Sequence, residues 1–164
     1  MYLYLESGEI MIVKLKTLVT SFLPPILTAL LAFFSVKSGF SLYEKLNLPP
    51  LSPPPVVFRW VWTVLYILLG VTAYLLKECK SDIADRALKI YYLALFVNLL
   101  WPIVFFRLQM FTLALIILII LWILVFIYTM LSTFCKGRIW WLSVPYLLWL
   151  SYAAYLNMGI VCLN

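Results

Sequence analysis

The chain has 164 residues, 66% of them hydrophobic and 11% charged, with a mean hydropathy of +1.10. Soluble domains are about half apolar and about a quarter charged, so this composition excludes a soluble protein and specifies an integral membrane protein of one membrane domain. The net charge is +6, histidine is absent, and none of the six acids (Glu6, Glu9, Glu44, Glu78, Asp82, Asp85) falls inside an apolar run, which argues against a bound metal or a carboxylate proton relay.

Residues 1–16 read as an N-terminal cytoplasmic extension, and the internal Met11 that opens MIVKLK marks residues 1–10 as an optional addition. The first apolar run, Leu18 to Val36, is longer than the ~7–15 residues of a signal-peptide core and contains Pro24-Pro25, so it is read as a retained span. A proline-studded connector follows: Pro49, Pro50, Pro53, Pro54 and Pro55 fall within seven positions, through which no helix can propagate. It runs into a second apolar segment, Val56 to Leu76, that opens with Trp60, Trp62 and Tyr66.

The third segment covers Ile90 to Phe106 and the fourth Leu108 to Leu131, with a tight hairpin turn expected near Arg107. The fifth runs from Ile139 to Leu163. All lie near the ~17–25 residues of a spanning helix, and only helices can satisfy the backbone of such segments in lipid. The expected fold class is all-α: a polytopic membrane protein built as a five-transmembrane-helix bundle.

With five spans, the N-terminus and the second and fourth loops share one side and carry eight basic residues: Lys14, Lys16, Lys77, Lys80, Arg86, Lys89, Lys136 and Arg138. The other side has four, Lys37, Lys45, Arg59 and Arg107. Dispersed between apolar runs, these are topology signals rather than a nucleic-acid footprint. They place the N-terminus in the cytoplasm and the proline loop outside. No internal repeat is evident, which weakens an inverted-repeat transporter. Cys79, Cys135 and Cys162 are far apart and unpaired by any CxxC spacing, so they read as small apolar residues, not as a disulfide framework or zinc site.

The fourth span, LALIILIILWILVFIY, offers little polarity and reads as a lipid-facing helix. The third holds Asn98 near its middle, with Trp101 and Pro102 after it. Pro102 removes a backbone donor and clashes with the carbonyl of Asn98, leaving a polar spot in apolar surroundings. That spot serves either as helix–helix glue with a kink or as the anchor of a ligand cavity. In the fifth span Trp149, Ala153 and Asn157 share one face, bordered by Tyr146; in the second, Trp62, Tyr66, Gly70 and Tyr74 recur every fourth residue. Two stripes of ring, gap and polar tip suit a flat apolar ligand, although core packing and an interfacial belt explain the same spacing. No nucleophile stands with a base in one span and no glycine loop cradles phosphate, so no catalytic residue is assigned.

Three blocks, PPLSPPPVVFRWVWTVLYILLG, NLLWPIVFF and PYLLWLSYAAYLN, resemble the translocator protein family, also called tryptophan-rich sensory proteins (TspO/MBR). The resemblance extends over residues 17–164 as a five-helix membrane domain. It implies a pocket for porphyrins, sterols or drug-like ligands between the first, second, third and fifth helices, under the first loop. The family motif positions at that pocket are Trp62, Tyr66, Asn98, Trp101, Pro102, Tyr146, Trp149, Ala153 and Asn157. The lid is the loop bearing Pro49, Leu51, Pro53 and Pro54. Homodimerisation is implied by the family alone, and a prokaryotic cell membrane is the expected setting.

Departures from the family pattern are informative. Leu51 stands where the family's loop tryptophan is usual, Arg59 where a glycine precedes the second-span tryptophan, and Leu99 where a second tryptophan follows the asparagine. No tyrosine-then-basic pattern follows Asn157, so cholesterol transport is not implied. Leu51 cannot stack on a porphyrin or exchange an electron with it. The expected function is therefore a membrane receptor or regulator that binds porphyrins or similar planar apolar ligands in the bilayer, with no cofactor. A tetrapyrrole transporter and a weak light-dependent porphyrin-degrading enzyme are the alternatives.

Overall fold

The computed structural model describes residues 2–4, 10–12, 14–36, 40–43, 45–135 and 139–164. Two short strands, β1 (Tyr2–Tyr4) and β2 (Ile10–Ile12), pair antiparallel with Tyr2 opposite Ile12. The elements that follow among the described residues are helices: α1 (Leu15–Val36), the short α2 (Phe40–Tyr43), α3 (Pro55–Glu78), α4 (Asp82–Pro102), α5 (Phe111–Ser132) and α6 (Val144–Leu163). Five of these are long and apolar enough to cross a membrane, counting the turns that extend α4 to Arg107 and begin α6 at Ile139. The all-α, five-span architecture is thus the one expected from the apolar segments.

Local chemistry sets the helix ends. Pro54 and Pro55 open α3, where a missing N–H and a fixed φ suit the first turn. Ser81 caps α4 by accepting from the Ala84 amide at 3.1 Å, and Asp82 and Asp85 complement the positive end of the helix dipole. These signals start α4 at Asp82, about two turns before the apolar run from Ile90. After Pro102 the chain widens into a π turn over Ile103–Arg107, with the Leu108 amide bonded to the Ile103 carbonyl at 3.1 Å. The expected hairpin near Arg107 closes at Leu108–Met110, with Gln109 in the left-handed region at φ 55°.

Pro24 and Pro25 lie inside α1. Pro24 has no N–H for the carbonyl of Thr20, and Lys77 of α3 takes its place, with Nζ 2.9 Å from that oxygen and 3.2 Å from Thr20 Oγ1. The proline defect becomes a tie between two helices.

The helices close a ring: α1 lies against α3 and α4, α4 against α5, α5 against α6, and the turn ahead of α6 against α3. Alanines 84, 87, 94 and 114 are buried, which lets α4 and α5 approach closely. Tyr91 of α4 donates to the Leu69 carbonyl of α3 at 3.0 Å. The outer face of α5 is apolar and exposed, as expected of a lipid-facing helix, yet its Trp122 indole donates to Ser151 Oγ of α6 at 2.9 Å.

The cysteine reading needs correction. Cys79, just beyond α3, and Cys135, just beyond α5, are disulfide-bonded, with Cα atoms 5.9 Å apart. Their 56-residue separation hides the pair in sequence, and only the packing of the helices brings the two ends together.

Candidate ligand-binding site

A cavity of about 560 Å³ lies between α1, α3 and α4, within the ~300–1,000 Å³ typical of small-molecule sites. One end of it is closed where α1 and α3 pack tightly: Gly70 has no side chain, and the ring of Phe22, which lines the cavity, fills the space. The gap seen at Gly70 in the aromatic stripe is therefore occupied from within the protein. Above that contact the two helices part. The α1 wall is formed by Phe22, Ile26, Ala29 and Phe33, spaced i, i+4, i+7, i+11 and so on one face of the helix.

The α3 wall carries Trp62 and Tyr66, with ring centroids 5.7 Å apart, together with Phe58, Arg59 and Thr63. From α4 come Asn98, Trp101 and Pro102. Five of the residues singled out in sequence therefore line one cavity: Trp62, Tyr66, Asn98, Trp101 and Pro102.

The other four, all on α6, stand behind the wall. Tyr146 accepts a 2.7 Å hydrogen bond from Asn98 Nδ2 and packs edge-on to Trp62 at 6.2 Å. Trp149 meets Phe58 and Trp62 edge-on, at 5.6 and 6.5 Å. Its indole N–H is buried without a partner among the described residues, so it acts as an aromatic surface and not as a donor. Asn157 accepts from Trp101 Nε1 at 3.2 Å and donates to the Phe111 carbonyl at 3.0 Å, joining α4, α5 and α6. Ala153 is buried in the helix core. The polar groups of α4 thus serve both readings: Asn98 faces the cavity and is also fastened to α6.

The first loop is strapped to α6. Tyr152 donates to the Leu51 carbonyl at 2.6 Å and Tyr155 to the Pro50 carbonyl at 2.9 Å. Asn164 exchanges hydrogen bonds with the Asn47 backbone, at 3.0 and 3.1 Å. Pro49 is buried against Gly159, where a Cβ would stand 2.5 Å from the proline ring. Leu51 sits at the tip in the left-handed region, φ 67°, with its side chain 82% exposed. Of the loop's residues, Tyr43 and Pro55 reach the cavity, whereas Pro49, Leu51, Pro53 and Pro54 are outside its lining. Burial raises the Tyr43 phenol above its ordinary value, so it stays protonated and donates to the Pro53 carbonyl at 3.2 Å.

Sequence reasoning assigned no residue of α1 to the site and passed over Phe58, Thr63 and Phe106. The face repeat in α1 was available as a signal, but apolar residues also cover most of the rest of that helix, so the repeat does not single out this face. Arg59 was noticed as a topology signal and as a departure, and its place in the cavity lining emerges from the fold.

Comparison with known proteins reinforces the fold and the motif blocks. The family model for the TspO/MBR family matches residues 20–163. The chain is similar to the tryptophan-rich protein TspO of Archaeoglobus fulgidus, 33% identical over 133 residues, covering 81% of this chain and 86% of the relative. It is also similar to a tryptophan-rich sensory protein of Cereibacter sphaeroides, 33% identical over 124 residues and covering 74% and 76%. A translocator protein homolog of Schizosaccharomyces pombe is 35% identical over 131 residues, covering 74% and 77%.

Proposed function

The chain belongs to the TspO/MBR family, and we propose that it is a membrane receptor or regulator whose cavity between α1, α3 and α4 takes porphyrins or similar planar, largely apolar molecules. The observation that carries this reading is the cavity itself: about 560 Å³, walled by Trp62, Tyr66 and Trp101, with Asn98 as a buried polar point. Such a site offers stacking surfaces and one orienting group, which is how apolar ligands are held. The aromatic layer of α6 keeps the α3 wall upright. The membrane domain comprises residues 17–164, with residues 1–16 an extension. The eight-to-four bias of basic residues puts the N-terminus and the Cys79–Cys135 end in the cytoplasm and the proline loop outside.

The test is a titration of protoporphyrin IX into protein in neutral detergent, followed by quenching of tryptophan fluorescence, with wild type set beside Ala29→Phe. Ala29 lines the cavity from α1, and a phenyl ring there fills it. Saturable binding by wild type and at least tenfold weaker binding by the variant are expected. Equal affinities would place the porphyrin elsewhere.

A further inference from the structure

The cavity is not enclosed, and the burial of its lining tells which side is open. On the α4 side, Asn98, Trp101 and Pro102 are buried. Arg107, at the end of the π turn beyond them, donates to the Phe34 carbonyl of α1 at 3.4 Å. The first-loop end holds packed rings: Tyr43 is buried edge-on against Phe58 at 5.7 Å, and Phe58 meets Trp149 in turn. At the opposite end Phe22 lies against Gly70, and Lys77 bonds Thr20, so α1 and α3 are held together there.

The remaining side is the seam between α1 and α3. Ile26, Leu30 and Phe33 of α1 follow at i, i+4 and i+7, and each is about half exposed although it lines the cavity. From α3, Thr63 and Ile67 are likewise both exposed and part of the lining. Lining alone does not produce such exposure, because Asn98 and Trp101 line the same cavity and are buried. These five residues have the placement of a rim, with the cavity on one side and the outer surface of the bundle on the other.

Depth decides what lies outside that rim. Ile26 stands halfway along the 22 residues of α1 and Ile67 halfway along the 24 of α3, with Leu30 and Thr63 one turn nearer the first loop. The midpoint of a spanning helix is about 15 Å from either edge of the hydrocarbon. Of the five, only Thr63 is polar, and its hydroxyl is bonded to the backbone one turn earlier at 2.8 Å. The rim therefore meets acyl chains rather than water.

Resting on the ligand-binding reading of the cavity, we infer that it opens sideways into the bilayer between α1 and α3, and that its ligand enters and leaves through this mouth from the lipid. The ligand class is then a molecule that dissolves in the hydrocarbon before it binds.

The test follows protoporphyrin IX by stopped-flow quenching of tryptophan in nanodiscs of neutral phosphatidylcholine. Empty discs give the rate at which the pigment enters lipid, and in excess they serve as the sink when dissociation is read. Wild type is set beside two double variants: Leu30→Phe, Ile67→Phe narrows the mouth, and Leu30→Ala, Ile67→Ala widens it. Binding to wild type should lag behind entry into empty discs. Narrowing should slow association and dissociation together, by roughly tenfold, as expected where passage limits the rate. Widening should quicken dissociation severalfold, and association until lipid entry becomes limiting.

Binding faster than entry into empty discs would route the ligand through water and overturn the inference, while the cavity reading stands. Unchanged association in the narrowed variant overturns it as well. If the added rings abolish binding by filling the cavity, the widened variant decides, and dissociation equal to wild type overturns the inference. If wild type binds no porphyrin, the cavity reading falls and this inference with it.

Discussion

The ring of Phe22 on α1 occupies the space that a side chain at Gly70 on α3 would need: a Cβ built there would stand 2.5 Å from Phe22 Cδ1. This contact packs the two helices tightly at one end of the cavity, which the Phe22 ring lines. Gly70→Leu should drive Phe22 from its place, lowering stability by about 1–3 kcal/mol through overpacking and weakening porphyrin binding severalfold. Thermal unfolding in detergent and fluorescence titration measure the two effects. The double variant Phe22→Ala, Gly70→Leu should recover most of the stability, because the new side chain then enters vacated space. No recovery would mean that Gly70 serves something other than this contact.

Asn98 reaches the cavity from α4, and its Nδ2 is held 2.7 Å from the Tyr146 hydroxyl of α6. Tyr146→Phe removes that acceptor without removing any cavity-lining atom. Interhelical hydrogen bonds of this kind average about 0.6 kcal/mol in membranes and reach about 1.7, so a modest drop in stability is expected. Ligand affinity should fall two- to fivefold, because the amide loses its fixed direction. An unchanged affinity alongside a reduced stability would show that Asn98 acts as helix glue only.

Much of this arrangement was legible in the sequence, and the reasons are specific. The five spans are set by apolar length and by the charges and prolines between them, so their ends shift by a turn or less except at the start of α4, where Ser81, Asp82 and Asp85 lengthen it towards water. Asn98, Trp101 and Pro102 stood out because an amide and a helix-breaking residue are costly in lipid. By contrast, nothing in the period-four stripes of α3 and α6 said which face met the cavity. The α6 stripe backs the wall rather than lining it, and the missing lining comes from ordinary apolar residues of α1 that nothing in the sequence sets apart from the rest of that helix's apolar surface. The Cys79–Cys135 bond was hidden for a related reason: it depends on where α3 and α5 end relative to each other.

Two tyrosine hydroxyls hold the proline loop on α6, Tyr152 to the Leu51 carbonyl and Tyr155 to that of Pro50. Replacing both with phenylalanine leaves the rings and removes two hydrogen bonds, each worth about 0.5–1.5 kcal/mol. If the loop gates entry to the cavity, ligand association and dissociation should both quicken, by about tenfold or less, with little change in equilibrium affinity. Stopped-flow quenching of tryptophan by protoporphyrin IX reads this directly. Unaltered rates in a variant of intact fold would remove the loop from the path of entry.

Leu51 is held at φ 67°, a conformation that costs a non-glycine residue about 1–2 kcal/mol. Its side chain is exposed and lies outside the cavity lining, so its identity is not needed for contact with a ligand there. Leu51→Asn should therefore raise the unfolding temperature slightly, since asparagine tolerates the left-handed region, while porphyrin affinity stays within twofold of wild type. A large loss of affinity would show that the loop tip folds over the ligand when it binds.

The disulfide and the free thiol Cys162 lie at opposite ends of the bundle, and together they test both the covalent tie and the orientation. Cys162 is exposed near the end of α6, on the side the basic residues assign to the exterior. A membrane-impermeant maleimide should accordingly label one thiol per chain in intact cells, and Cys162→Ser should abolish that label. After purification without reductant and denaturation, one thiol should react; after reduction, all three. Cys79→Ser should lower the unfolding temperature, with about 4 kcal/mol as the upper bound from the chain-entropy cost of a 56-residue loop, because the unfolded chain stays partly confined by lipid. Disulfides are uncommon on a cytoplasmic face outside hyperthermophiles, so the two results bear on each other. If Cys162 reacts only after the cells are broken open, the bundle is inverted and the disulfide faces the oxidising side.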